Sequence, residues 1–284
     1  MPQKMFLTNI YHFFKADGDL FETKILIKQP IIPIFISIAY VILVKWLLPR
    51  IMENRKPLKL KRAIIVYNLL ICLLSGYLAY KAIRFTNKAW KNRCDVKIVP
   101  KHIIQRGLYI MQYFWTAQYL QVLNRKGFQL LWYIWMTKYL ELLDTVFLSL
   151  RKKNRRITFL HLFRHFAMVL VFALVFYMKT AAFYYIFAFA INLSTHMILY
   201  LYYGLAAIGL RVKKYLRWKK YLTLLQIMQF IIILTYGAYG FATGCERPEK
   251  AELGLFICIF IILVMFINYS KKSHSTISFL KQKT

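Results

Sequence analysis

Acidic side chains are scarce in this sequence: ten Asp and Glu stand against 41 Lys and Arg, so the formal net charge is +31. A balance that basic would suit a nucleic-acid binder if the cations gathered on one folded soluble face. Here they fall between long apolar stretches, which removes that reading. Juxtamembrane cations instead set orientation in a bilayer, attract anionic headgroups and would attract a polyanionic ligand. No cleavable signal peptide is evident, because the residues up to Lys28 mix polar and apolar side chains and Asp17, Asp19 and Glu22 break any apolar core such a peptide would need. The first span is therefore expected to act as the signal. Two halves of similar hydropathy with interrupted helices, the mark of many transporters, do not stand out.

Apolar residues dominate what is present. They make up 60% of the 284 residues, with 18% aromatic and a mean hydropathy of +0.46, well above the apolar share of a soluble domain. Crossing a bilayer takes about twenty apolar residues as a helix. Seven segments qualify: Ile31 to Leu48, Ala63 to Ile83, Gln129 to Leu150, Phe159 to Tyr177, Ala181 to Tyr203, Tyr221 to Ala242 and Leu253 to Tyr269. The sequence thus predicts an all-α polytopic membrane protein with a segment 1–30, a membrane domain 31–269 and a tail 270–284. The apolar stretch Leu108 to Val122 is short and carries Gln112, Gln118 and Gln121, which predicts an interfacial or re-entrant helix.

Basic loops follow the first, third and fifth spans, at 55–62, 151–156 and 211–220, and Lys271, Lys272, Lys281 and Lys283 follow the last. The positive-inside rule then places the N-terminus in the lumen and the C-terminus in the cytosol, although 84–106 is basic as well. Cys94 and Cys245 fall in loops on the expected luminal side, where disulfides persist, so a bridge between them is expected. Cys72 and Cys258 lie within spans as packing residues.

Polar residues interrupt four consecutive spans. Lys138, Glu141 and Asp144 lie in the third, where each charge costs about 2.5 to 3.5 kcal/mol at the helix centre on the insertion scale. Their spacing puts Lys138, Glu141 and Thr145 close to one stripe with Asp144 beside it, facing an interior rather than lipid. An internal ion-pair ladder that only locks helices is the plain alternative. The fourth span brings His161, Arg164 and His165 within one arc of about 100°. Asn192 and His196 share a face of the fifth, followed by Tyr200, Tyr202 and Tyr203; the sixth supplies Thr223, Gln226 and Gln229.

In this order the segments resemble the signature of the ELO family of very-long-chain fatty acid elongases. Lys138 to Thr145 match its K-x-x-E-x-x-D-T, His161 to His165 its H-x-x-H-H except at Arg164, Asn192 to Tyr203 its N-x-x-x-H with trailing tyrosines, and Thr223 to Gln229 its T-x-x-Q-x-x-Q. Weaker similarity appears at Asn54 to Pro57, at Tyr67 and Asn68, and in the two loop cysteines. The resemblance implies seven helices in the endoplasmic-reticulum membrane, six of them around a substrate tunnel. It implies condensation of acyl-CoA with malonyl-CoA to 3-oxoacyl-CoA, CO2 and CoA, with no cofactor and no resident metal. Partners would be the reductases and dehydratase of the elongation cycle, or further copies of the chain. The tail Lys281 to Thr284 is similar to the family's lysine-based retrieval tails, with its lysines in a different register.

The family's mechanism gives covalent work to the penultimate His of its histidine box, and that position is Arg164. A guanidinium stays protonated and offers no lone pair for attack. Three readings follow: His165 or His161 takes the acyl group, Arg164 holds a phosphate or carboxylate in a weakened enzyme, or the chain is an inactive relative that binds acyl-CoA or partner elongases. His196 matches the pattern and would serve acid-base or enolate-stabilising work, and Asp144 or Glu141 would orient an imidazole. Asn192, Tyr200, Tyr203, Thr223, Gln226 and Gln229 would contact substrate. A membrane di-iron desaturase or hydroxylase also uses histidine boxes. Only three of the six histidines lie in this cluster, which weighs against it.

Overall fold

In a computed structural model the backbone is described over residues 24–90, 110–178, 183–209, 219–243 and 250–282, and the side chains over 24–90, 125–178, 183–209, 221–243 and 253–270. These residues form helices: α1 (Ile25–Lys28), α2 (Ile31–Met52), α3 (Lys61–Ala89), α4 (Ile110–Glu141), α5 (Leu143–Leu150), α6 (Phe159–Met178), α7 (Phe183–Ile208), α8 (Lys219–Thr243) and α9 (Lys250–Gln282), with a single 3-10 turn at Asn154–Arg156. No strand occurs among the described residues. Six of them (α2, α3, α6, α7, α8 and α9) are long and apolar enough to cross a membrane. The all-α polytopic reading holds.

The region 108–150 departs from the sequence expectation. Residues 110–122 are not a separate short helix but the first part of α4, which runs unbroken for 32 residues, about 48 Å at 1.5 Å per residue. Glutamine lowers hydropathy yet is nearly as good a helix former as Leu or Lys, so the backbone continues where the apolar run ends. The expected span Gln129 to Leu150 is instead divided at Leu142. There the Leu142 amide bonds to the Tyr139 carbonyl at 3.2 Å and the Thr145 amide to the Leu142 carbonyl at 3.3 Å. These tighter i to i−3 bonds mark a break between α4 and α5. The Tyr67 hydroxyl donates to the Leu140 carbonyl at 3.0 Å beside it. Cys94 and Cys245, and with them the expected bridge, lie outside the described residues.

α2 contains a π-helical turn, Leu43–Leu47. Pro49 lacks an amide hydrogen and its ring would strike the Lys45 carbonyl in a regular helix, so the wider turn relieves the conflict. Lys45 Nζ reaches the Ile157 carbonyl at 3.3 Å and ties α2 to the start of α6.

Helix contacts close a ring in the order α3, α4, α6, α9, α8, α7 and back to α3, with α2 outside it against α6. The α3 and α7 pair is the most extensive, and α7 also touches α4 across the ring. Ile31, Phe35, Ile38, Ile42 and Trp46 form one exposed stripe on α2, and Leu253, Ile257, Phe260, Ile261 and Val264 are exposed on α9. Exposed apolar stripes of this length suit lipid rather than water. The interior is aromatic at one end: Trp135 stacks on Phe176 at 5.3 Å between ring centres, and Phe172 on Phe189 at 4.2 Å. One to two turns along the same helices the lining becomes polar.

Candidate active site

The break at Leu142 spreads the charged motif of α4 and α5 over several neighbours. On the α4 side, Lys138 Nζ lies 2.8 Å from Glu141 Oε1 and 3.0 Å from Asn192 Oδ1 of α7. The same Glu141 oxygen lies 3.1 Å from His196 Nδ1, one helical turn beyond Asn192. A carboxylate accepts and does not donate, so the Nδ1 of His196 carries the proton and its Nε2 keeps a lone pair. Lys138, Glu141 and His196 are all buried, Glu141 at 1% exposure. On the α5 side, Asp144 Oδ2 accepts from the Tyr200 hydroxyl at 2.6 Å.

Thr145 belongs to a second chain of bonds. The Tyr40 hydroxyl donates to Thr145 Oγ1 at 2.6 Å, and Thr145 Oγ1 lies 2.8 Å from His161 Nε2. The threonine oxygen accepts from Tyr40 and is the hydrogen-bond partner of His161 Nε2. His165 differs. Its ring meets His161 edge-on at 4.7 Å, but its Nε2 is buried with no hydrogen-bond partner among the described residues, which is uncommon for a group so far from solvent.

A small cavity of about 10 Å³, room for about one water, joins part of this cluster. It is lined by Lys138, Glu141, Arg164, His165, Met168, Asn192, His196 and Phe230. Arg164 is half-buried, with its guanidinium carbon 5.9 Å from the centre of the Phe266 ring. It forms no ion pair with a carboxylate among the described residues. A cation over an aromatic face gains about 0.5 to 2 kcal/mol, and Arg164, the sixth residue of α6, has this contact with Phe266. Two cations and one carboxylate line the cavity.

Glu141, Asp144, Lys138, Asn192, His196, His161, Arg164, His165 and Tyr200 thus gather at one level of the bundle. The remaining predicted residues do not line the cavity: Gln226 and Gln229 are buried in α8, Gln229 Oε1 without a hydrogen-bond partner among the described residues, Thr223 is half-buried, and Tyr203 is 46% exposed as a whole residue. Tyr40, Met168 and Phe230 were not foreseen. Met168 and Phe230 occupy apolar positions that look like packing in a sequence, and the only hint at Tyr40 is a hydroxyl in the middle of an apolar run. Among the described residues, no group of three or more His, Cys, Asp or Glu side chains is disposed to hold a metal ion.

Residues 25–281 match the ELO family, described as the GNS1/SUR4 family. The chain belongs to the ELO family. Among its relatives, very long chain fatty acid elongase 7 of Rattus norvegicus is 34% identical over 261 residues, covering 87% of this chain and 83% of the relative. Very long chain fatty acid elongase 1 of Homo sapiens is 35% identical over 262 residues, covering 88% and 84%. Very long chain fatty acid elongase F of Drosophila melanogaster is 33% identical over 263 residues, covering 86% and 91%. ELO membership gives the polar cluster a context that packing alone lacks.

Proposed function

We propose that this ELO protein is a condensing enzyme of fatty acid elongation, joining an acyl-CoA to malonyl-CoA and releasing CO2, CoA and a 3-oxoacyl-CoA two carbons longer. The observation that carries the reading is the network of buried Lys138, Glu141 and His196 with half-buried Asn192, opening on a cavity that also holds a His165 imidazole nitrogen with no hydrogen-bond partner among the described residues. A purely structural ion pair needs neither the cavity nor the unpartnered nitrogen.

His165 serves as acyl acceptor in this reading. Its Nε2 attacks the thioester carbonyl, the carbon–sulfur bond breaks to leave an acyl-imidazolium, and the departing thiolate takes up a proton from solvent, passed on by the Nε2 of His196. Malonyl-CoA then loses CO2, the resulting enolate attacks the acyl carbon, and the carbon–nitrogen bond breaks to restore His165. Dividing one hard step into two easier ones is the gain of covalent catalysis. Glu141 fixes the tautomer of His196, and Lys138 neutralises Glu141. His161, held by Thr145, positions the ring of His165. The reaction takes place in the endoplasmic-reticulum membrane with the C-terminus in the cytosol and the cycle's reductases and dehydratase as partners.

The test is incubation of the purified protein with an acyl-CoA and labelled malonyl-CoA, with product identified by mass spectrometry beside His196→Ala. Labelled 3-oxoacyl-CoA from the unmodified protein, lost in the variant, supports the enzyme. No product from either, with acyl-CoA still bound, would make the chain a non-catalytic acyl-CoA binder.

A further inference from the structure

We propose that Arg164 binds the free carboxylate of the malonyl unit, so that the cavity between α4, α6, α7 and α8 discriminates malonyl-CoA from thioesters without that carboxylate. The inference rests on the elongase reading for the identity of its ligand, but its geometry stands by itself. Arg164 and Lys138 both line the cavity, and only Lys138 has its charge matched, by Glu141 at 2.8 Å. Asp144, the next carboxylate along the chain, accepts from Tyr200 and does not line the cavity. The cavity wall therefore holds one cation in excess, with the Asp144 carboxylate outside the wall but near enough to act on Arg164 through space, in surroundings shielded by Met168, Phe230 and Phe266, where an anion is bound more strongly than in water.

Carboxylate and phosphate both suit a guanidinium fork. Position decides between them. The malonyl carboxylate is bonded directly to the carbon that must react, so an anion placed among His165 and His196 is one that travels with the reacting end. The phosphates of CoA lie at the far end of a long pantetheine arm. An ammonium or imidazole at 164 would supply a point charge or a titrating group, whereas guanidinium offers a permanent charge and two parallel donors. The same grip is released as CO2 departs, so it strengthens binding of malonyl-CoA more than it accelerates the chemical step.

The experiment measures affinity of the detergent-purified full chain for malonyl-CoA, acetyl-CoA and free CoA, before and after Arg164→Gln and Arg164→Lys. Malonyl-CoA binds the unmodified protein more tightly than acetyl-CoA. In Arg164→Gln that ratio falls by about tenfold or more, as expected for loss of a charge-assisted pair, with acetyl-CoA and free CoA unchanged; Arg164→Lys retains part of the preference. A ratio of affinities is insensitive to a misfolded fraction of the sample. Equal weakening of all three ligands would overturn the proposal by placing a CoA phosphate at Arg164, and so would an unchanged ratio. Malonyl discrimination through Arg164 without turnover would sink the elongase reading alone, while turnover with an unchanged ratio would sink this inference alone.

Discussion

Replacing Glu141 with Gln removes the one negative charge that serves both Lys138 and His196. At 2.8 Å the attraction between Lys138 and Glu141 is about 6 kcal/mol with an effective dielectric of about 20. Part of it only offsets the cost of taking both ions out of water, but removing one partner leaves the other buried and uncompensated, which costs about 3 to 5 kcal/mol. Lys138 is 2% exposed and its remaining acceptor is the Asn192 amide oxygen. Glu141→Gln is therefore expected to lose about 3 to 5 kcal/mol in denaturant unfolding in detergent, together with condensation activity, because His196 no longer has its tautomer fixed. Lys138→Met combined with Glu141→Gln removes the orphaned cation, and should recover a large part of the stability but none of the activity. A single variant within about 1 kcal/mol of the parent, or a double variant less stable than the single one, would refute the claim that this pair is buried and mutually compensating.

Tyr200→Phe removes the 2.6 Å donor to Asp144 and should cost about 1 to 3 kcal/mol in the same unfolding assay. His165→Ala should abolish 3-oxoacyl-CoA formation, while His161→Ala should slow it by displacing the neighbouring ring; mass spectrometry after incubation with acyl-CoA alone should find an acyl adduct on the parent and not on His165→Ala. An adduct that survives in His165→Ala would move the nucleophile elsewhere. In turnover, Arg164→Gln should raise the KM for malonyl-CoA more than it lowers kcat, which titration of initial rates against malonyl-CoA checks.

Much of the site was legible because ionisable residues in apolar helices are expensive, and their grouping on four consecutive spans pointed to an interior cluster. That Lys138 and Glu141, His165 and Arg164, and Asn192 and His196 share helix faces follows from helical spacing. Which carboxylate meets which histidine did not, since it depends on the break at Leu142, and nothing in the Leu142-Leu143 pair marks a turn. The continuity of α4 was missed for a related reason: hydropathy reports on lipid, not on helicity, so the glutamines near its start read as an end. Tyr40 entered the site through the packing of α2 against α6, a long-range contact that local pattern does not encode. Cavity-lining Met168 and Phe230 cannot be told from core residues until neighbouring helices are in place.

The most direct test of the account uses malonyl-CoA labelled in its free carboxyl group, supplied to the purified protein with and without a long-chain acyl-CoA, and follows released CO2. Release that requires the acyl-CoA and matches 3-oxoacyl-CoA mole for mole is the predicted result. Release independent of acyl-CoA, or none while both substrates bind, would contradict a condensing enzyme built on His165 and His196.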